Sequence, residues 1–426
     1  MSPGRGDDPG YDAMMRRRLA VKPLAQVRAM ICSAFPCPDR IATLPVAGAA
    51  GRVTAAPVSS FLTIPAEDVA SRDGFAVVST ETLGARDGNP VPLRNASRVN
   101  TGNAIPPGYD AVVMIEDVVG RDGAWSTKKA VLTGEHIFPA ASEIRRGDLI
   151  LPAGHRIRPS DIGALLSCGL TVVDVREVRV GLIPTGSELV PAGSLPGPGG
   201  VVESNTAASA ALLGEAGATC TRYGIVRDDP VLLRKAIERG IRENDMLLIS
   251  AGSSAGTRDF TAAVIDELGE VLVHGIAMKP GVPAIVGRID GKPVIGLPGY
   301  PIAALTAAQE LALPLLAAWG FSPPPIERLR ARLAGTVTAD PDYDEFVQIV
   351  VSRAGDGYVA TPLPRGAGPQ MALVHANARL HVPRGTGSIA GGTEVEILLT
   401  GQCREQGEVC EPALDREETV PVKDSA

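Results

Sequence analysis

Aromatic side chains are scarce in this sequence. They make up 4% of 426 residues, while apolar residues reach 45%, so cores and sites must be built from aliphatic side chains. Metal-ligand spacings are missing too. The six cysteines (Cys32, Cys37, Cys168, Cys220, Cys403 and Cys410) form no Cys-x-x-Cys, and the five histidines form no His-x-His or His-Glu-x-x-His. That pattern argues against a structural zinc site. The cysteine spacing suits reduced cytosolic thiols better than a disulfide framework. There is no basic excess: 41 Lys and Arg against 48 Asp and Glu leave a net charge of -7, which argues against a nucleic-acid partner. No clean membrane span is present. The longest apolar helix pattern, Pro301 to Trp319, contains Gln309, Glu310 and Pro314 and reads as a buried helix. Behind Arg16-Arg17-Arg18 the apolar run is broken by Lys22, Pro23 and Arg28, a poor signal peptide. A cytoplasmic protein is expected.

Glycine and proline are abundant, at 48 and 36 residues, without a collagen period; they mark many structured turns. The length predicts two to four domains. Polar, charged tails are expected at 1–20 and 403–426. An amphipathic helix is predicted at 22–35. Short apolar runs between turn residues (76–78, 111–115 and 130–132) predict an inserted β domain over 61–140. It is carried by a helical and extended N-terminal domain over 21–60 and 141–177, whose helix near 160–169 has Asp161 at its start and Gly169 at its end. From 178 to 321 strands and helices alternate, which predicts a three-layer α/β domain with a mostly parallel sheet. Short strands and turns over 322–402 predict a small β-barrel or β-sandwich.

In an open α/β sheet, ligands bind outside the carboxyl ends of the strands. The loops expected there are Pro184–Glu188, Arg227–Asp229, Ala251–Asp259, Met278–Gly281 and Leu297–Pro301. They gather the acids Glu188, Asp228, Asp229 and Asp259, the cations Arg258 and Lys279, and several helix N-termini, which favour anions. Carboxylates beside an anion site suit Mg²⁺, which is often held by one or two carboxylates and substrate phosphates. A phosphate-containing ligand with a divalent metal is therefore expected. Leu297-Pro298-Gly299-Tyr300-Pro301 has the composition of a preformed wall: Gly299 permits close backbone approach, and Pro301 suits the first turn of a helix. Taken singly, each loop is ordinary. An acid before a helix is usually a cap, and a lone lysine is usually solvated. Only their convergence on one edge lifts them into a site. No Ser-His-Asp constellation is expected, on the reading that the Gly-x-Ser-x-Gly elbow is absent.

The ordered set of motifs resembles the molybdopterin molybdotransferase family, the MoeA-type proteins of bacteria and the E domain of gephyrin. It runs through Ser71-Arg72-Asp73-Gly74-Phe75, Thr101-Gly102, Ile105–Val113, Thr185-Gly186-Ser187-Glu188-Leu189, Glu203-Ser204-Asn205, Gly224–Asp229, Ser250–Asp259, Met278-Lys279-Pro280-Gly281 and Gly296–Pro301. The resemblance spans about 22–400. It implies an elongated protomer whose C-terminal domain is a β-barrel, assembled as a homodimer with the β insertion facing the partner's α/β cleft. The implied activity is a Mg²⁺-dependent transfer: molybdate enters adenylylated molybdopterin and AMP is released. The implied catalytic residues are Asp73, Thr101, Glu188, Asp228, Asp259 and Lys279, with Glu188, Asp228 and Asp259 as metal ligands. The implied substrate-binding residues are Gly186, Ser187, Asn205, Gly252, Ser253, Ser254, Gly256, Pro298, Gly299, Tyr300 and Pro301. Implied protein partners are the molybdopterin adenylyltransferase and recipient molybdoenzymes. The chain departs from the family pattern at Arg72 (usually Met), Val282 (usually basic), Tyr300 (usually Asn) and the 251–256 loop. Other readings are a non-catalytic molybdopterin carrier, motivated by those departures, a tungstate-preferring enzyme and an adenylyltransferase-like variant.

Overall fold

The computed structural model describes residues 21–121, 124–250, 260–321, 323, 325–366 and 370–403. Both terminal tails expected from the sequence therefore lie outside the described residues, apart from Cys403. The chain forms two compact units, one drawn from 1–40 and 177–426 and the other from 41–176.

Near the start of the first unit, helix α1 (Leu24–Ala34) buries Leu24, Val27 and Ile31. Their spacing of three and four residues gives one apolar stripe.

The second unit contains β1 (Ile41–Pro45), β2 (Val53–Thr54), β3 (Gly74–Val77), β4 (Ala96–Val99), β5 (Ala111–Met114), helix α2 (Pro159–Ser167) and β6 (Val172–Arg176). One antiparallel sheet is ordered β1-β6-β2 and another β4-β3-β5. Strand β3 is buried on both faces. Phe75 and Val77 join Ala111, Val113 and Val131 on one side, while Ala76 joins Ala70, Val99 and Val112 on the other. Gly74 is needed because β5 runs so close that a Cβ there would collide with the Val113 carbonyl oxygen. The strand expected at 130–132 does not form. Val131 is instead held by its N–H, which donates to the Thr82 hydroxyl at 3.0 Å. Helix α2 starts where expected, with Asp161 closing its capping box.

The first unit resumes with β7 (Arg179–Pro184), α3 (Asn205–Glu215), β8 (Thr219–Arg222), α4 (Pro230–Glu243), β9 (Met246–Ser250), α5 (Thr261–Leu268), β10 (Glu270–His274), β11 (Ile276–Lys279), β12 (Ile285–Ile289), β13 (Lys292–Leu297) and α6 (Pro301–Ala318). The six-stranded sheet is ordered β8-β7-β9-β13-β12-β10. Strands β8, β7, β9 and β13 are mutually parallel, and β12 is antiparallel to both its neighbours. All five β9 residues are buried, as expected of a strand covered on both faces. Helix α3 contacts α6, and α4 contacts α5; the two pairs sandwich the sheet. The single strand expected at 271–277 is two strands, broken at Gly275 and leaving the sheet after His274.

Helix α6 is the one described helix long and apolar enough to cross a membrane, and 61% of its most apolar window is buried inside the fold. Its middle, Ala308–Ala312, is π-helical. Pro314 has no N–H to offer the Glu310 carbonyl four residues back. Arg28 of α1 takes that carbonyl up through Nε at 3.0 Å, and its guanidinium also pairs with the Glu310 carboxylate.

After α6 the first unit continues with β14 (Arg328–Leu333), β15 (Asp344–Ala354), β16 (Gly357–Pro362), helix α7 (Gln370–His375), β17 (Ala378–Val382) and β18 (Glu394–Leu399). The order β15-β16-β14-β18-β17 closes because β17 also pairs with β15. The C-terminal region is thus a closed five-stranded barrel around Val347, Ile349, Val351, Leu380 and Ile397. Arg379 of β17 pairs with buried Glu310 of α6 at 2.7 Å.

Candidate functional site

The carboxyl edge of the parallel strands carries three described loops from the expected set. After β7, Thr185 bridges to Val226 and donates its N–H to the Ser250 carbonyl at 2.9 Å. The loops after β7 and β8 are thereby held together. Ser187 and Asp228 then exchange hydrogen bonds. The Ser187 N–H donates to Asp228 Oδ2, and the Asp228 N–H donates to Ser187 Oγ, both at 3.1 Å. Gly186 precedes this pair at φ +153°, where a Cβ would lie 2.7 Å from Glu188 Oε1. The Glu188 carboxylate folds back over its own glycine. Glu188, Ser187 and Asp228 are all exposed.

The neighbouring acids are structural. Asp229 caps α4, accepting from the N–H groups of Val231 and Leu232 at 2.8 and 3.0 Å, the ordinary use of an acid before a helix. Buried Glu203 accepts from the Thr206 N–H and hydroxyl at 2.7 and 2.8 Å and pairs with Arg222, which fixes the start of α3.

The third loop is the Leu297–Pro301 wall. Asn205, the first residue of α3, donates its Nδ2 to the Gly299 carbonyl at 2.8 Å. Pro298 is buried, Gly299 and Tyr300 are exposed, and Pro301 opens α6. The crowding of proline and glycine thus makes a short turn whose backbone is tied across to a second helix N-terminus.

Lys279 has a different setting from the one expected. Strand β11 is not in the six-stranded sheet; it pairs in parallel with the start of β15, Lys279 opposite Glu345. The Lys279 ammonium lies 3.4 Å from Asp340 Oδ2 and 4.5 Å from the Tyr343 ring centre. Sequence reasoning missed Asp340 and Tyr343. The only signal was a run of acids, Asp340-Pro341-Asp342-Tyr343-Asp344-Glu345, in a region expected to hold short strands and turns.

In the second unit, Asp73 and Thr101 are brought together. Asp73 Oδ1 accepts from the Thr101 N–H at 2.7 Å and its hydroxyl at 2.9 Å. These bonds, with a smaller contribution from the Arg98 charge, hold the Asp73 carboxyl below its ordinary pKa.

Gly252, Ser253, Ser254, Gly256, Arg258 and Asp259 lie outside the described residues. The three-acid metal set expected from Glu188, Asp228 and Asp259 is therefore represented by its first two members. Among the described residues, no group of three or more His, Cys, Asp or Glu side chains could hold a metal ion. The sequence itself corrects the expectation that no Gly-x-Ser-x-Gly elbow is present: Gly252-Ser253-Ser254-Ala255-Gly256 has that spacing.

Three family models match the chain: the MoeA N-terminal region (domain I and II) over residues 22–169, a probable molybdopterin binding domain over 181–318, and the MoeA C-terminal region (domain IV) over 330–400. The Haemophilus influenzae protein named molybdopterin molybdenumtransferase is 31% identical over 69% of this chain and 76% of its own length. The chain belongs to the MoeA family. A MoeA protein of Pyrococcus horikoshii has a solved structure that matches 90% of this chain and all of its own, at 32% identity and a TM-score of 0.74. Molybdopterin molybdenumtransferase 2 of Mycobacterium tuberculosis is 28% identical over 83% of this chain and 94% of its own. This MoeA-family chain is a transferase of molybdenum cofactor biosynthesis.

Proposed function

We propose that this transferase inserts the metal of molybdate into adenylylated molybdopterin and releases AMP, acting as a cytoplasmic homodimer with Mg²⁺. The observation that carries the reading is the carboxyl edge of the parallel sheet. The Ser187–Asp228 exchange, the folded-back Glu188 and the Asn205–Gly299 tie make a hydrogen-bonded, solvent-open rim beside the N-termini of α3 and α6.

In this reading the N-terminal N–H groups of α3 and α6 receive phosphate and pterin oxygens. Tyr300, 58% exposed, offers a ring face to the planar pterin. Glu188 and Asp228 hold and orient the water that attacks the phosphoanhydride; its P–O bond breaks, AMP departs and the terminal phosphate stays on the pterin side chain. Lys279 binds the oxyanion electrostatically, and Asp73 with Thr101 supplies a hydrogen-bonded anion and hydroxyl. The two exposed acids Glu188 and Asp228 fit a cation that takes one or two carboxylates and keeps several waters, and they would hold Mg²⁺. When bound, Mg²⁺ would neutralise charge developing on the phosphates. Asp259 and the 251–256 loop complete the proposed set.

The test mixes the purified protein with adenylylated molybdopterin, Mg²⁺ and either molybdate or tungstate, and follows AMP. Oxyanion-dependent release is the expected result, and the two rates rank the metals. Tight binding of the nucleotide without AMP release would overturn the reading in favour of a molybdopterin carrier. Dimerisation is read from light scattering, where a monomer at micromolar concentration would remove that part.

A further inference from the structure

Lys279 is clamped at both ends by one short segment, Asp340–Glu345. Its backbone lies opposite Glu345 in the parallel pairing of β11 with β15. Its ammonium lies 4.5 Å from the centre of the Tyr343 ring and 3.4 Å from Asp340 Oδ2. Neither partner is loose. Tyr343 is 3% exposed, so its ring is fixed by packing. Asp340 donates its N–H to Glu345 Oε1 at 2.7 Å, and its Oδ1 accepts from the Asp342 N–H at 3.0 Å. Glu345 is itself buried and paired with Arg365. Its four-carbon stem gives a lysine many rotamers, and confining it costs entropy. A ring face and a carboxylate at right reach confine it without a ligand.

We propose that Tyr343 and Asp340 are positioning residues for Lys279. Tyr343 holds the ammonium in place for the oxyanion, and Asp340 lowers the positive charge the oxyanion meets. The C-terminal segment thereby sets oxyanion affinity without touching the pterin. This rests on the reading of Lys279 as an oxyanion ligand.

The two residues act with opposite sign. Tyr343→Leu removes the cation–π contact and leaves the ammonium less confined, so the molybdate KM rises about threefold or more while the KM for adenylylated molybdopterin stays put. Tyr343→Phe keeps the ring face and behaves as the parent protein. Asp340→Asn keeps a hydrogen-bond acceptor but removes the competing negative charge, so the molybdate KM falls about two- to threefold. In a Lys279→Ala background neither substitution has any further effect on that KM, because both act through the lysine. General loosening of the fold would move both variants in the same direction and would persist without Lys279.

A second readout needs no turnover. Lysines of the full chain are ¹³C-dimethylated, and the Lys279 resonance is assigned by its loss in Lys279→Arg. The expected resonance is shifted by the Tyr343 ring current and loses that shift in Tyr343→Leu. An unshifted Lys279 signal, or KM changes of the same sign in both variants, overturns the proposal. If the shifted signal is present but AMP release is independent of molybdate, the oxyanion role of Lys279 falls instead, and with it the kinetic half of the proposal.

Discussion

Thr101 gives Asp73 two donors on a single oxygen, its N–H at 2.7 Å and its hydroxyl at 2.9 Å, both to Oδ1. The two residues are 28 positions apart and meet because β3 and β4 run antiparallel, with Gly74 opposite Val99. Both bonds favour the charged form. The Asp73 carboxyl is depressed in the folded state, so its contribution to stability is present above the unfolded carboxyl range near about 4 and is lost as pH falls through the folded value. Thr101→Val removes the hydroxyl donor and keeps the N–H. The Asp73 pKa then moves up part of the way to its ordinary value, measured by carboxyl ¹³C titration, and the acid limb of the pH–rate profile moves up with it.

Gly186→Ala tests the rim. The residue sits at φ +153°, with the Glu188 carboxylate 2.7 Å from where a Cβ would be. A methyl there displaces Glu188 and strains the turn. AMP release drops about tenfold or more, in the range of a misplaced acid–base group, while thermal unfolding shifts only a few degrees. Unchanged turnover would remove Glu188 from the mechanism.

Asn205→Ala cuts the tie between α3 and the Gly299 carbonyl. One ordinary hydrogen bond is worth about 1 kcal/mol, about fivefold in a binding constant. The KM for adenylylated molybdopterin rises by about that factor, and the molybdate KM does not. The split between the two constants is the measurement.

Glu310→Ala probes stability rather than catalysis. The carboxylate, 4% exposed, pairs with both Arg28 and Arg379. Removing it leaves two cations facing one cavity, and breaking a buried pair in this way costs about 3–5 kcal/mol; Arg28, a third exposed, brings the expected loss to the low end. Denaturant unfolding measures it. Double replacement with Arg379→Met restores part of the loss.

Much of the architecture was legible in local signals. Alternating strand and helix patterns over 178–321, Pro301 at a helix start and Asp161 near a helix start are short-range features; the structure opens α6 at Pro301 and puts Asp161 in the first turn of α2. The strand expected at 130–132 failed for a reason outside its own residues: Val131 is captured by Thr82, 49 positions away. The chain near 275 reads as one apolar run, but β10 belongs to the six-stranded sheet and β11 to a sheet with the barrel strand β15. Composition carries no mark of such a change of partner.

The sequence alone determined which residue types stand at the ends of the parallel strands, since motif order and turn chemistry are properties of neighbours along the chain. Turn chemistry therefore named Glu188 and Asp228, and the family resemblance of the motifs named Asn205, with Asp73 and Thr101 as separate candidates. Tertiary structure decided what those side chains do. It made Asp73 and Thr101 one hydrogen-bonded unit, and it paired Ser187 with Asp228 while leaving adjacent Asp229 to cap α4. It also set Lys279 between Asp340 and Tyr343, more than 60 positions along the chain. Carboxylates look alike in a sequence. Only the position of a donor or a cation, fixed by packing at long range, makes one a cap, another an ion-pair partner and a third an exposed carboxylate on the rim.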